Sequence, residues 1–129
     1  MERRHIEGTW QKNRAFSPAV ITQGGTMIFV AGHGGFEDDK GGSLAGNFEA
    51  QTRQTFRNLE GTPQQAGGSL KDLVTMTVFI GESRHGNQFT ELRREILKDK
   101  FPASALIACA GFARPEMMVE IQGIAIIDK

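Results

Sequence analysis

Glu120 stands inside Met118-Val119-Glu120-Ile121-Gln122-Gly123-Ile124-Ala125-Ile126, a stretch that otherwise reads as a strand apolar on both faces. An unpaired buried carboxylate costs more than a strand recovers, so Glu120 must be protonated, hydrogen-bonded, paired with a cation or turned toward a wet cleft. In a sheltered cleft that raises its pKa toward neutrality, such a group positions a water molecule and relays a proton. The plainer alternative is a carboxylate satisfied by backbone donors in a subunit contact.

Arg93 lies four residues after Phe89 and three before Ile96, so at helical spacing it borders an apolar stripe. It either reaches a cleft and holds an anion, or snorkels and pairs with Glu91 or Glu95. Arg14 and Arg114 are weaker candidates for the same work. His33, in Gly32-His33-Gly34-Gly35, combines a proton-transferring imidazole with loop amides that suit an anion, although glycines also simply make turns. The segment lacks the lysine and following helix of a phosphate loop. Cys109, the only cysteine, sits on an apolar stretch without an adjacent base and reads as a buried structural residue. Ser17 and Ser104 have no recognisable triad context. Arg53 falls off its helix's apolar stripe and reads as a surface or intersubunit ion-pair residue. His5, His33 and His85 show no metal-ligand spacing, so no metal is expected.

The elements that must position these groups fit a single domain spanning residues 1–129. Residues 15–22 and 26–32 are rich in β-forming residues, and Gln23-Gly24-Gly25 between them signals a hairpin. Pro18 must lie at an edge or bulge of the first strand. After a glycine-rich loop, Asn47 caps a helix whose first turn carries Glu49 and whose inner face holds Phe48, Thr52, Phe56, Leu59 and Ala66. Gly61 and Pro63 predict a kink or fraying near Leu59, before Gly67-Gly68 ends the segment. Residues 73–80 alternate threonine with large apolar side chains and form the clearest strand. A second helix is expected over 86–99, with Phe89, Leu92 and Ile96 inward and Pro102 marking its end. Strands near 104–110 and 117–127 follow, and the turn residues Gly111, Arg114 and Pro115 suggest that they form an antiparallel pair.

That order predicts an α+β domain with two helices on one face of a sheet. Because the final strand is apolar on both faces, the second face should also be hidden, and another copy of the chain is the simplest cover. An intersubunit groove would then be the natural place for Glu120. Lys+Arg and Asp+Glu balance at 15 each, which removes the long-range attraction that nucleic acid or an anionic membrane would need. No run approaches membrane-spanning length, the N-terminus is polar, and one cysteine fits a reducing compartment; a cytoplasmic protein is expected.

Ala31-Gly32-His33, Phe48-Glu49-Ala50-Gln51-Thr52-Arg53-Gln54, Thr77-Val78-Phe79-Ile80, Phe101-Pro102-Ala103 and Val119-Glu120-Ile121 together resemble the reactive intermediate deaminase family (RidA, or YjgF), over about Phe16 to Ile127. The resemblance implies a chorismate-mutase-like α+β fold, a mixed sheet with two helices packed on one face, assembled as a homotrimer with clefts at subunit interfaces. It also implies hydrolysis of imines and enamines, such as those of 2-aminoacrylate, to ketoacids and ammonia without metal or organic cofactor.

The family's Pro-Ala-Arg-Ser motif, whose arginine clamps a substrate carboxylate, is Pro102-Ala103-Ser104-Ala105 here, so one neutral hydroxyl replaces a bidentate cationic fork. By the same match Leu106 replaces a cysteine, Phe16 a cleft tyrosine, and Thr90 and Arg93 an asparagine and a tyrosine. Glu120 and Gly32 are retained.

The expectation is a homotrimeric deaminase of small carboxylate-bearing imines, with Glu120 as acid–base and with Phe16, Gly32, Thr90, Arg93, Ser104 and Leu106 binding substrate. A non-catalytic trimer that binds or senses a small metabolite is the alternative, supported by the missing arginine. RNA cleavage, also attached to this family, is disfavoured by the even charge and the absence of an aromatic-basic surface.

Overall fold

The computed structural model describes residues 1–129 and contains six strands and two α-helices. These are β1 (Glu2–Ile6), β2 (Ala19–Gln23), β3 (Thr26–His33), α1 (Phe48–Gln64), β4 (Leu73–Ile80), α2 (Gly86–Leu97), β5 (Ala103–Ala108) and β6 (Val119–Ile127). The expected α+β layering is present: both helices lie on one face of a mixed four-stranded sheet ordered β3-β6-β4-β5. The core fills the space between them with Phe56, Leu59, Met76, Val78, Phe89, Val119 and Ile121.

α1 starts at Asn47, whose side-chain oxygen accepts the Ala50 N–H at 3.0 Å. The helix does not fray near Leu59 but continues to Gln64. Pro63 falls in the last turn, where a missing N–H removes one bond from a helix already ending, and fully buried Leu59 anchors the turn before it. Gln51 had no assigned role from sequence, yet its buried amide fastens the helix to two loops. Its Nε2 donates to Leu44 O at 3.1 Å and Glu116 O at 2.8 Å, while its Oε1 accepts the Met118 N–H at 2.9 Å.

Two pairings differ from expectation. The last two strands do not form an antiparallel pair: β5 runs parallel to β4, and β6 inserts between β3 and β4, antiparallel to both. A parallel partner needs a crossover, which α2 supplies, and a strand apolar on both faces belongs at the centre of a sheet rather than beside an edge. Nor do β2 and β3 close a hairpin. β2 pairs instead with β1, an N-terminal strand the polar composition had hidden, in a separate two-stranded sheet. Gly24 and Gly25, both at positive φ (77° and 80°), turn the chain from one sheet into the other. β2 begins only after Pro18, so residues 15–18 are not strand. No helix is long and apolar enough to cross a membrane.

Candidate active site

The alternation of β6 sends Val119 and Ile121 into the core and Glu120 to the opposite, helix-free face, across from Phe79 of β4. On its other side β3 is bulged between Val30 and His33. Gly32 lies in that bulge, and a Cβ there would collide with the Glu120 carboxyl. The bulge thus opens the space that the carboxyl occupies. Glu120 is half-buried and makes no hydrogen bond or ion pair within the protomer, which removes two of its four options.

On β5, Ser104 and Leu106 point the other way, toward the helix layer; Leu106 Cδ2 approaches Gly86 at the start of α2. From α2 comes Arg93, 1% exposed. Its Nη1 donates to Ser104 Oγ at 2.7 Å and its Nη2 to the Arg14 carbonyl at 3.2 Å. The guanidinium lies 5.1 Å from the Phe89 ring centroid and 5.8 Å from that of Phe16. Burial, and then the nearby charge of Arg14, lower its pKa to about 10, which still leaves a cation at neutral pH. No carboxylate neutralises it. The acids expected as partners are taken by its neighbours: Glu91 pairs with Arg94 at 2.6 Å and Glu95 with Arg53 at 2.5 Å. Arg93 therefore reaches inward rather than snorkelling, and its guanidinium sits beside Ser104.

Six of the seven expected site residues thus fall into two groups. Phe16, Arg93, Ser104 and Leu106 gather where α2 meets β5, whereas Glu120 and Gly32 lie on the open face of β6 and β3. The sheet stands between them. Thr90 is buried with its hydroxyl donating to Gly86 O at 3.1 Å, within its own helix.

That open face carries a groove of about 310 Å³ lined by Phe29, Thr75, Thr77 and Gln122. Phe29 is 75% exposed and Met27 53%, which marks a surface unsuited to lasting contact with water. Phe29 was legible only as one more strand residue; its significance lies in which face β3 presents.

The remaining candidates have structural roles. His33 Nδ1 donates to Ala31 O at 2.7 Å, and in the neutral ring Nε2 accepts the Thr62 hydroxyl at 2.7 Å, tying β3 to α1. Ser17 Oγ donates to Phe101 O at 2.7 Å. Arg53 bridges Glu49 and Glu95 at the surface, as expected. Arg114 lies over the Phe36 ring. Cys109, expected on a buried strand, instead lies just past β5 and is only half-buried, because the strand stops at Ala108. No three side chains of His, Cys, Asp or Glu converge as a metal site would require.

Comparison with known proteins gives this arrangement a context. A family model described as Endoribonuclease L-PSP matches residues 10–127. A RutC family protein of Pyrococcus abyssi is 26% identical over 101 residues, 78% of this chain and 79% of that one. The crystal structure of RidA from an Antarctic Psychrobacter is similar with a TM-score of 0.73 and 28% identity, covering 91% of this chain and 97% of the other. That of YyfB, a Rid family protein of Yersinia pestis, has a TM-score of 0.86 at 23% identity, covering 98% and 100%, and shows likeness of fold.

Proposed function

This chain belongs to the Endoribonuclease L-PSP family, that of the Rid and YjgF proteins, and from that premise we propose that it hydrolyses small carboxylate-bearing imines and enamines at clefts between identical subunits. The observation that carries the reading is the division of charged groups by the sheet. An unpaired carboxylate, Glu120, faces outward on one side, and an unneutralised guanidinium, Arg93, sits behind the β5 edge on the other. A cyclic homotrimer sets the edge of one copy against the face of the next, covers Phe29 and Met27, and completes three equivalent sites. A cytoplasmic location suits this chemistry.

In the joined cleft the Arg93 guanidinium, with Ser104 Oγ, attracts the substrate carboxylate, while Phe16 and Leu106 provide an apolar wall. An enamine first tautomerises to its imine. Glu120 accepts a proton from water as the oxygen adds to the imine carbon and passes that proton to the nitrogen, giving a carbinolamine. Glu120 then takes the carbinolamine hydroxyl proton and delivers it to the amino nitrogen as the C–N bond breaks, so that ammonia departs and a ketoacid remains. Water and imine thus become ketone and ammonia, with no redox change and no cofactor.

The test generates 2-aminoacrylate enzymatically and follows ammonia and the trappable imine. Glu120→Gln should reduce turnover by roughly 10²–10⁴-fold with the fold and assembly retained. Unchanged turnover in that variant removes Glu120 from the mechanism. A second reading, a trimer that holds a small metabolite without converting it, draws on Ser104 standing where the family has arginine and on the depth of Arg93. Inert wild type combined with an active Ser104→Arg variant would remove the deaminase reaction as this chain's own and favour that reading. Ribonuclease activity receives no support from a chain with no net charge.

A further inference from the structure

A larger cavity, about 430 Å³, lies between the segment preceding β2 and the segment following α2. Lys12, Arg94, Lys98 and Lys100 line it against two acids, Glu7 and Asp99, although the chain as a whole carries no net charge. Arg94 is bound to Glu91 and to the Asn13 carbonyl, but the three lysines form no ion pair. Together with Arg94 they give the lining an excess of positive over negative side chains.

Two further observations point to an occupant. Gln11, 6% exposed, lines the same cavity, and its buried Oε1 has no hydrogen-bond partner. That side chain leaves a polar atom unpaired beside the cavity, and turning the amide merely presents a donor in place of an acceptor. The second observation is strain. The chain has four non-glycine residues at positive φ, Asn13 (67°), Ala15 (61°), Lys98 (71°) and Lys100 (49°), and all four line this cavity. Lys98, with ψ −56°, centres a γ-turn closed by the Asp99 N–H on Leu97 O at 2.8 Å, a form rarely adopted by a residue with a side chain. Strain of this kind persists where the surroundings hold it and gathers at ligand clamps. Here Arg93 and Arg94 grip the carbonyls of Arg14 and Asn13, and Ser17 is tied to Phe101 and Pro102, so both loops are fixed before any ligand arrives.

We propose that this cavity is a binding site for a small anionic metabolite carrying a phosphate or carboxylate group, the lysines receiving the anion and the Gln11 amide an adjoining polar group. The site shares Phe16 with the proposed substrate cleft but lies apart from Glu120, and it does not depend on the deaminase reading. His5 on β1 supplies a reporter at the cavity wall. Burial, followed by the charges of Lys100 and Arg3, holds its pKa below the ordinary value, and a bound anion would raise it.

The experiment titrates the full chain, at constant ionic strength, separately with inorganic phosphate and with succinate, following the His5 imidazole and Gln11 side-chain amide resonances by NMR. Saturable shifts with either anion, weakened about tenfold or more in Lys98→Gln/Lys100→Gln, are expected. The anion that saturates assigns the ligand class. Lys12→Gln, at a position that does not itself have positive φ, should weaken binding in the same direction. Shifts that stay linear for both anions, or saturation undiminished in every lysine variant, overturn the proposal.

Discussion

Arg93 shows how much one side chain's surroundings add to its type. Because its folded pKa is depressed, to about 10, the cost of keeping it charged is fully present at neutral pH and is relieved only as pH rises from there toward the ordinary guanidinium range. The shift corresponds to roughly 3 kcal/mol of destabilisation, in a protein whose total stability is of order 10 kcal/mol. Arg93→Met, which keeps the aliphatic volume and removes the charge, should therefore leave the denaturation midpoint unchanged or raised at pH 7 while weakening binding of a carboxylate substrate. A large loss of stability would make the guanidinium a structural group instead. The spacing of Phe89, Arg93 and Ile96 was enough to place Arg93 beside the apolar stripe. It could not decide inward against outward, because that depended on Arg53 and Arg94 claiming Glu95 and Glu91, and on Ser104 and the Arg14 carbonyl arriving from distant segments.

Among the elements, α1, β4 and α2 were readable because each carries its own periodicity and its own stop signal. Asn47 as a cap is a local fact, and Asn47→Ala should lower stability by about 1 kcal/mol in chemical denaturation. Gln51 is a different case. Its amide satisfies two carbonyls and one N–H from segments on either side of the helix, so Gln51→Leu should cost about 2 kcal/mol or more by leaving buried backbone groups unpaired. Nothing in the local pattern marks that glutamine, since all three partners lie outside its own helix. The strand pairings misjudged from sequence fail for the same reason: turn residues say where the chain bends, but not which strand it meets afterwards.

For the molecule as a whole, the bare face of the sheet is the dominant feature. Phe29 and Met27 lie on it with Glu120 and Gln122, in a pattern suited to a partner's surface. In light scattering the wild type should have three times the mass of the 14.1 kDa protomer, and Phe29→Asp should reduce it to one. If turnover survives in that monomer, the cleft is not shared between subunits.

The chain by itself determined the α+β class, the helices on one face, and Glu120 as a carboxylate needing an explanation, because strand and helix periods are written locally and a misplaced charge is visible in its own neighbourhood. Only the tertiary structure decided the order β3-β6-β4-β5, the separation of Glu120 from Arg93 by the sheet, and the meeting of Arg93 with Ser104. Those relations join residues far apart in sequence, and they were settled by which surfaces could be buried together.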